Sequence, residues 1–359
     1  MAGKQLDKAA VLAAISEFND PETGRSVAET GQVRDIAIDG QSIRLTLALS
    51  THSAILSLEA RDRLVQLLKS RFEGTSVAVE LANFERPAEK IGQIGLACKS
   101  VIAVGSGKGG VGKSTIAASV ALGLAKAGSV VGLMDADVYG PSIPHLLGVN
   151  RRPEVLENRI QPIEVGGVKV ISMGFLVPPG EAVVWRGPML HGAITQFLRD
   201  TAWGELDYLI IDMPPGTGDI ALTLSQLLPL SGAVVVCTPQ DVALLDAVKA
   251  IAMFRKVNIP ILGMVENMSG FVCPDCNKRY DIFGSGGAKR RAVELDIPFL
   301  GEVPIQINIR TAGDAGRTAE TLDDAAAGPY LRAICENLVR NLPRRKAESA
   351  PLPTLSVGP

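Results

Sequence analysis

Val101-Ile102-Ala103-Val104-Gly105-Ser106-Gly107-Lys108-Gly109-Gly110-Val111-Gly112-Lys113-Ser114 is the stretch whose reading decides the fold. Val101 to Val104 is a short apolar run of strand character, and Thr115 to Ala127 is rich in Ala and Leu and helical in pattern. Between them stands G-x-x-x-x-G-K-S, in the strand-loop-helix setting that a phosphate loop requires. The glycines let backbone N–H groups converge on phosphate oxygens, and the helix N-terminus adds the positive end of its dipole. In such a loop Lys113 reaches the β- and γ-phosphates and Ser114 can ligate Mg2+. Gly107, Lys108, Gly109, Gly110, Val111, Gly112, Lys113, Ser114 and Thr115 are therefore the candidate nucleotide contacts.

Downstream, short β-rich apolar runs (Val130 to Met134, Tyr208 to Ile211, Ala233 to Cys237, Ile261 to Val265) alternate with longer helical patterns. That alternation predicts an α/β fold with a doubly wound, mostly parallel sheet over 95–342. Two runs lead into carboxylates, Asp135-Ala136-Asp137 and Asp212, at the sheet edge where ligands bind in such folds. An apolar strand closing on an aspartate is the form taken by the carboxylate that holds Mg2+ in phosphate-loop NTPases, so Asp212 is expected to hold Mg2+ through water. Asp135 reads as a turn or supporting residue. Met213-Pro214-Pro215-Gly216-Thr217-Gly218-Asp219 is too rich in Pro and Gly to be helix or strand, and Asp219 serves equally well as a helix N-cap.

Upstream, a helix over 4–18, strands from Val33 to Ile38 and Ser42 to Leu49, a helix from Leu56 to Phe72 and a strand from Thr75 to Leu81 predict a small αββαβ domain within 1–84. A linker follows at 85–94, where periodicity lapses around Pro87. Residues 343–359 hold four prolines and no periodicity, and read as a disordered tail.

Composition narrows the function classes. The chain has 359 residues, 47% apolar and 21% charged, with a net charge of −2, so no global positive field exists to capture nucleic acid or an anionic membrane. No apolar run approaches a membrane span, and the N-terminus lacks a signal-peptide pattern, which together predict a cytoplasmic protein. Five cysteines, at 98, 237, 273, 276 and 335, are too sparse and odd for a disulfide framework.

Cys273 and Cys276 form the one close pair, C-x-x-C, spaced so that both sulfurs can reach one metal or cluster. Half of a metal site, a redox pair and two unremarkable loop cysteines all compete for it. No His lies near (the three are 52, 145 and 191) and no second C-x-x-C exists, so one chain offers two ligands where zinc or an iron-sulfur cluster takes four. Two chains would supply all four, by the symmetry of an isologous dimer. A redox pair would favour Cys273 at a helix N-terminus, which nothing here marks. Cys237 reads as core, and Cys98 and Cys335 carry no partner signal.

Lys108 opens the loop with a second ammonium, and at this point the sequence resembles the deviant phosphate-loop ATPases, the group containing MinD, ParA and nitrogenase iron protein. The resemblance implies a homodimer in which Lys108 crosses to the phosphates of the opposing subunit. It further implies that Asp137 orients the attacking water, that the segment from Met213 is a switch, and that Asn267 reads the adenine. Val303-Pro304-Ile305 resembles the second base-contacting loop. GKGGVGKS, DADVYGPSIP, IIDMPPGTGD, ENMSGF and CPDC together look like the Mrp/ApbC-type iron-sulfur cluster carrier ATPases, over residues ~90 to ~342. The N-terminal residues resemble the small domain of iron-sulfur assembly proteins, though Ser50-Thr51-His52-Ser53 stands where many such domains carry a Cys-Pro pair.

What the resemblance implies is a slow MgATPase with Lys108, Lys113, Asp137 and Asp212 as its catalytic set. It would carry a labile [4Fe-4S] cluster on Cys273 and Cys276 of two subunits, take it from a donor or scaffold, and pass it to apo iron-sulfur proteins. Neither membrane nor nucleic acid is expected as a partner. The rival reading is a ParA- or MinD-like positioning switch, which leaves the cysteine pair unexplained.

Overall fold

The computed structural model describes residues 6–22, 24–83, 90–175, 187–216, 218–276 and 278–348. In chain order the elements are α1 (Lys8–Ala14), β1 (Val33–Asp39), β2 (Ser42–Leu49), α2 (Ala54–Arg71), β3 (Ser76–Asn83), β4 (Lys90–Ile91), β5 (Leu96–Gly105), α3 (Lys113–Lys126), β6 (Val131–Asp135) and α4 (Ile143–Leu146). Short strands β7 (Val155–Leu156), β8 (Arg159–Ile160) and β9 (Ile163–Val165) lead to β10 (Val168–Ser172), α5 (Gly187–Asp200), β11 (Leu206–Asp212), α6 (Gly218–Leu227), β12 (Gly232–Cys237) and α7 (Asp241–Lys256). The chain ends in β13 (Ile261–Val272), β14 (Arg279–Tyr280), α8 (Gly287–Glu294), β15 (Phe299–Ile305), α9 (Ile307–Asp314) and α10 (Gly328–Glu348).

The α/β expectation holds. Strands β10, β6, β11, β5, β12, β13 and β15 lie side by side in that order and run parallel. Their residues are buried on both faces, which is why the sequence runs are continuously apolar rather than alternating. Val101, Ala103, Leu209 and Ile211 pack on one side against α5, α6 and α7. Ile102, Val104, Tyr208 and Ile210 pack on the other against α3 and α10. α3 fits there because it is lined with small residues; a Cβ on Gly123 would meet Cys335 Sγ at 2.7 Å. In spatial order β5 sits between β11 and β12, so the chain leaves the sheet in opposite directions around it. That topological switch point is where the phosphate loop emerges.

The N-terminal residues form a separate sheet, with β1 antiparallel to β2 and β2 parallel to β3 through the α2 crossover. Ser53 caps α2 by accepting from Leu56 N, and Lys69 and Arg71 complement the dipole in its last turn. Ala60, Leu64 and Leu68, four residues apart on one face, close the small core with Val11, Ile43, Leu45 and Leu47. Leu56, one turn earlier, packs instead into the core of the large sheet.

Three boundaries differ from the sequence expectation. α1 covers only Lys8–Ala14, capped by Asp7, which accepts from Ala10 N at 2.7 Å. β13 continues to Val272, because β14 pairs with its far end and keeps the backbone extended past the irregularity at Met268, φ +59°. α10 runs to Glu348, past the boundary placed at Leu342, since Pro343 removes one N–H donor without ending the helix. Residues 84–89, Thr217 and 349–359 lie outside the described residues, and with them half of the expected linker and most of the expected tail.

Candidate nucleotide and cysteine site

The phosphate loop is shaped by three glycines that no other residue could replace without strain. A Cβ on Gly107 would lie 2.1 Å from the backbone of Asp246 in α7. Gly110 and Gly112 have φ of +78° and +80°, the left-handed region. Beneath Gly112 lies Asn267, whose Nδ2 donates to Val111 O at 2.9 Å and would stand 2.1 Å from a Cβ on Gly112. The expected switch segment is tied to the same loop: Met213 N donates to Val104 O at 2.9 Å and Gly216 N to Ser106 O at 3.1 Å. Ser106 Oγ in turn donates to Lys108 O at 2.9 Å.

Behind the loop the sheet register sets Ser172, Asp135 and Asp212 side by side at the C-terminal edge of β10, β6 and β11. Lys113, the first residue of α3, is buried and donates to Asp212 Oδ1 at 2.6 Å, with Asp137 Oδ2 at 3.4 Å and Ser114 Oγ at 3.2 Å. Asp212 is fully buried, and its Oδ2 has no hydrogen-bond partner among the described residues. Burial pushes the Asp212 carboxyl above the usual carboxylate range, opposed by the Lys113 ammonium. Asp135 is fully buried too; desolvation, then the Asp212 charge, raise it to about 8. Asp137 Oδ1 accepts from Tyr139 N and Gly140 N at 3.3 and 3.2 Å, an Asx-type turn that fixes the loop after β6.

Other candidates are placed less centrally. Lys108 is half-buried at the front of the loop and forms no ion pair among the described residues. Asp219 stands in the first turn of α6, where a carboxylate complements the helix dipole. Val303-Pro304-Ile305 ends β15 rather than forming a loop, with Val303 registered against Asn267. Exposed Tyr139, Val242 and Leu245 add apolar surface.

The cysteine pair lies in the turn between β13 and β14. Val272 pairs with Arg279, and Cys273 N donates to Lys278 O at 3.0 Å, closing the hairpin. Cys273 is half-buried and Cys276 exposed. Backbone N–H groups of Cys276 and Asp275, and then the Cys276 side chain, hold the Cys273 thiol below the usual thiol range. The residues that follow Cys273 form a turn and not a helix, unlike the arrangement a redox pair favours. Cys98, Cys237 and Cys335 are buried, each pushed up to about 12 by desolvation. Among the described residues no group of three or more His, Cys, Asp or Glu gathers to hold a metal ion.

Both halves of the site hang from one strand. β13 carries Asn267 under the phosphate loop, and Cys273, six residues further, follows directly on its last residue, Val272. Glu266, just before Asn267, is not among the sequence candidates. It is fully buried, and its two oxygens accept from Gly286 N and Ala288 N at 2.6 Å each, capping α8 where the chain returns from the hairpin. A glutamate inside an apolar strand is the signal that marks it.

Residues 97–339 match a family model described as NUBPL iron-transfer P-loop NTPase. The chain belongs to this family. Residues 8–81 match a second model, described as an iron-sulfur cluster assembly protein. Relatives of the family include the iron-sulfur cluster carrier protein of Deinococcus radiodurans, 46% identical over 96% of this chain and 99% of that one. The iron-sulfur cluster transfer protein NUBPL of Mus musculus is 53% identical over 68% of this chain and 78% of its own length. Among solved structures, a nucleotide-binding protein from Archaeoglobus fulgidus in complex with ADP is 43% identical with a TM-score of 0.56, covering 62% of this chain and 88% of that one. The cell division ATPase MinD of Pyrococcus furiosus shares the fold at 22% identity and a TM-score of 0.51, covering 67% and 98%. No helix among the described residues is long and apolar enough to cross a membrane.

Proposed function

We propose that this protein is an ATP-dependent carrier of an iron-sulfur cluster, bound between two copies of the chain and handed to apo-proteins. The observation that carries the reading is the cysteine hairpin growing from the strand that also supports the phosphate loop. Two neighbouring thiols at the surface, with Cys273 held below the usual thiol range and Cys276 exposed, suit a labile cargo: they can bind it as thiolates yet leave it open to a recipient. Two ligands per chain suit a cluster shared across a symmetry axis. The relatives named as carrier and transfer proteins point the same way.

For the nucleotide, the loop N–H groups and the α3 N-terminus would hold the phosphates, with Lys113 leaving its aspartates to meet them. Asp137 would orient the attacking water, Lys108 would reach the partner copy's nucleotide, and Asn267 would exchange Val111 O for the adenine edge. Mg2+ fits the residues present: Asp212 Oδ2 is a buried acceptor without a partner, and the Ser114 hydroxyl adjoins Lys113. Bound there, Mg2+ would neutralise phosphate charge during transfer.

Anaerobic reconstitution with iron and sulfide tests the cargo. About four irons and four sulfides per dimer, lost in Cys273→Ala, is the expected result for a cluster shared by four thiolates, two from each chain. Zinc alone, or metal binding indifferent to Cys273, would overturn the reading. Phosphate release by wild type and its loss in Lys113→Ala test the ATPase half.

A further inference from the structure

Asp135 is not used by the mechanism above, yet it is the most heavily bonded carboxylate at the sheet edge. Its Oδ1 accepts from Asp137 N at 3.1 Å, and its Oδ2 from Ile143 N at 3.3 Å and Ser172 Oγ at 2.9 Å. Ser172 Oγ also accepts from Gly174 N at 2.9 Å. Asp135 and Ser172 are both completely buried. One carboxylate therefore ties both ends of the 137–143 loop to the neighbouring strand. The fit around it is close: a Cβ on Gly174 would meet Pro141 at 3.2 Å, and Ile143 is fully buried.

We infer that Asp135, buttressed by the Ser172 hydroxyl, is a positioning residue for turnover: it fixes the loop that aims Asp137 at the water. This rests on the proposed ATPase reading. Both oxygens of Asp135 are committed to donors within the protein and none of its surface is exposed, so it acts through Asp137 and does not itself meet nucleotide or water. Lys113, which would grip the phosphates, is held chiefly by Asp212 at 2.6 Å, with Asp137 farther off at 3.4 Å, and the loop glycines are set by contacts outside the clamp. Loss of the clamp should therefore slow the chemical step and leave nucleotide affinity nearly unchanged, the pattern of an interaction realised only in the transition state.

The test uses the full chain with Asp135→Asn, Ser172→Ala and the double variant. Steady-state phosphate release gives kcat and KM, and equilibrium titration with a fluorescent ADP analogue gives affinity. Asp135→Asn should lower kcat by about tenfold or more and Ser172→Ala by about threefold, with KM and the ADP Kd held within about threefold. The double variant should be no worse than Asp135→Asn, because the hydroxyl acts through the carboxylate. Unchanged kcat, a loss of affinity equal to the loss of kcat/KM, or additive losses would overturn the inference. If Asp135→Asn fails to fold, Ser172→Ala decides by the same criteria. If wild type releases no phosphate, the ATPase reading fails by itself. Amide hydrogen exchange then decides the clamp: faster exchange at Asp137 and Ile143 in Ser172→Ala supports it, and unchanged exchange refutes it.

Discussion

Replacing Lys113 with methionine isolates the electrostatics of the buried cluster from nucleotide binding. Lys113 is the cation set against Asp212 at 2.6 Å, and Asp212 is fully buried. Removing one partner of a buried pair leaves an uncompensated charge, at a cost of about 3–5 kcal/mol. The protein can escape part of that cost by protonating Asp212. Its folded pKa is already raised and would rise further without the ammonium, so the folded state binds a proton that the unfolded chain, titrating near an ordinary carboxylate, has released. Stability linked to a raised carboxyl pKa is fully present at low pH and is lost as pH climbs through the folded value. The penalty of Lys113→Met should thus be largest at alkaline pH and shrink on acidification, by up to ~1.4 kcal/mol per unit, over the range in which Asp212 is protonated in the folded variant and still ionised in folded wild type. Urea unfolding at pH 6, 7 and 8, in chelator and without nucleotide, gives the difference from wild type at each pH; Asp135, which feels both the Asp212 charge and the Lys113 ammonium, titrates together with the pair. A variant as stable as wild type at pH 8, or a penalty that does not change with pH, would refute the assignment of Lys113 and Asp212 as a buried pair.

Iodoacetamide at pH 8 under native conditions should alkylate Cys273 and Cys276 and spare Cys98, Cys237 and Cys335, whose thiols are buried and shifted up to about 12; peptide mass mapping reads the pattern. Gly112→Ala should lower stability by about 1–3 kcal/mol, from left-handed backbone strain and displacement of the Asn267 bond to Val111, and should weaken binding of an ADP analogue in the same titration.

The sheet and the phosphate loop were legible in the sequence because each rests on local chemistry. Continuous apolar runs mark strands buried on both faces, and the spacing of Gly107, Gly112 and Lys113 is dictated by what a backbone must do around a phosphate. The C-x-x-C spacing was legible for the same reason. What sequence did not reveal are pairings made across the fold. The extension of β13 depends on β14, seven residues beyond its end, and Val303-Pro304-Ile305, expected as a second base-contacting loop, is a strand because Asn267 aligns with Val303. Glu266 is marked in the chain only by its apolar surroundings and Asp135 only by its place at a strand end; what each holds, the amides of α8 and of the 137–143 loop, reaches them only after folding. Asp135 reads as a supporting residue, and its bonds describe what it supports.

Helix α2 belongs to two cores at once: Ala60, Leu64 and Leu68 to the small one, and Leu56 to the large one, with Arg340 of α10 donating to Glu59 at 2.9 Å and His52 Nε2 lying 3.0 Å from Ser100 Oγ. The two sheets are therefore joined by a strut and do not swing on a tether, whatever the lapse of periodicity between them implies. Cutting the chain near residue 95 would remove a buried side chain from the larger piece and uncover apolar wall around Val339 and Leu342, so the shortened protein would gain a sticky face. The first turn of α2 is thus not free surface of the small domain: through Leu56 it answers to the packing of the domain that follows.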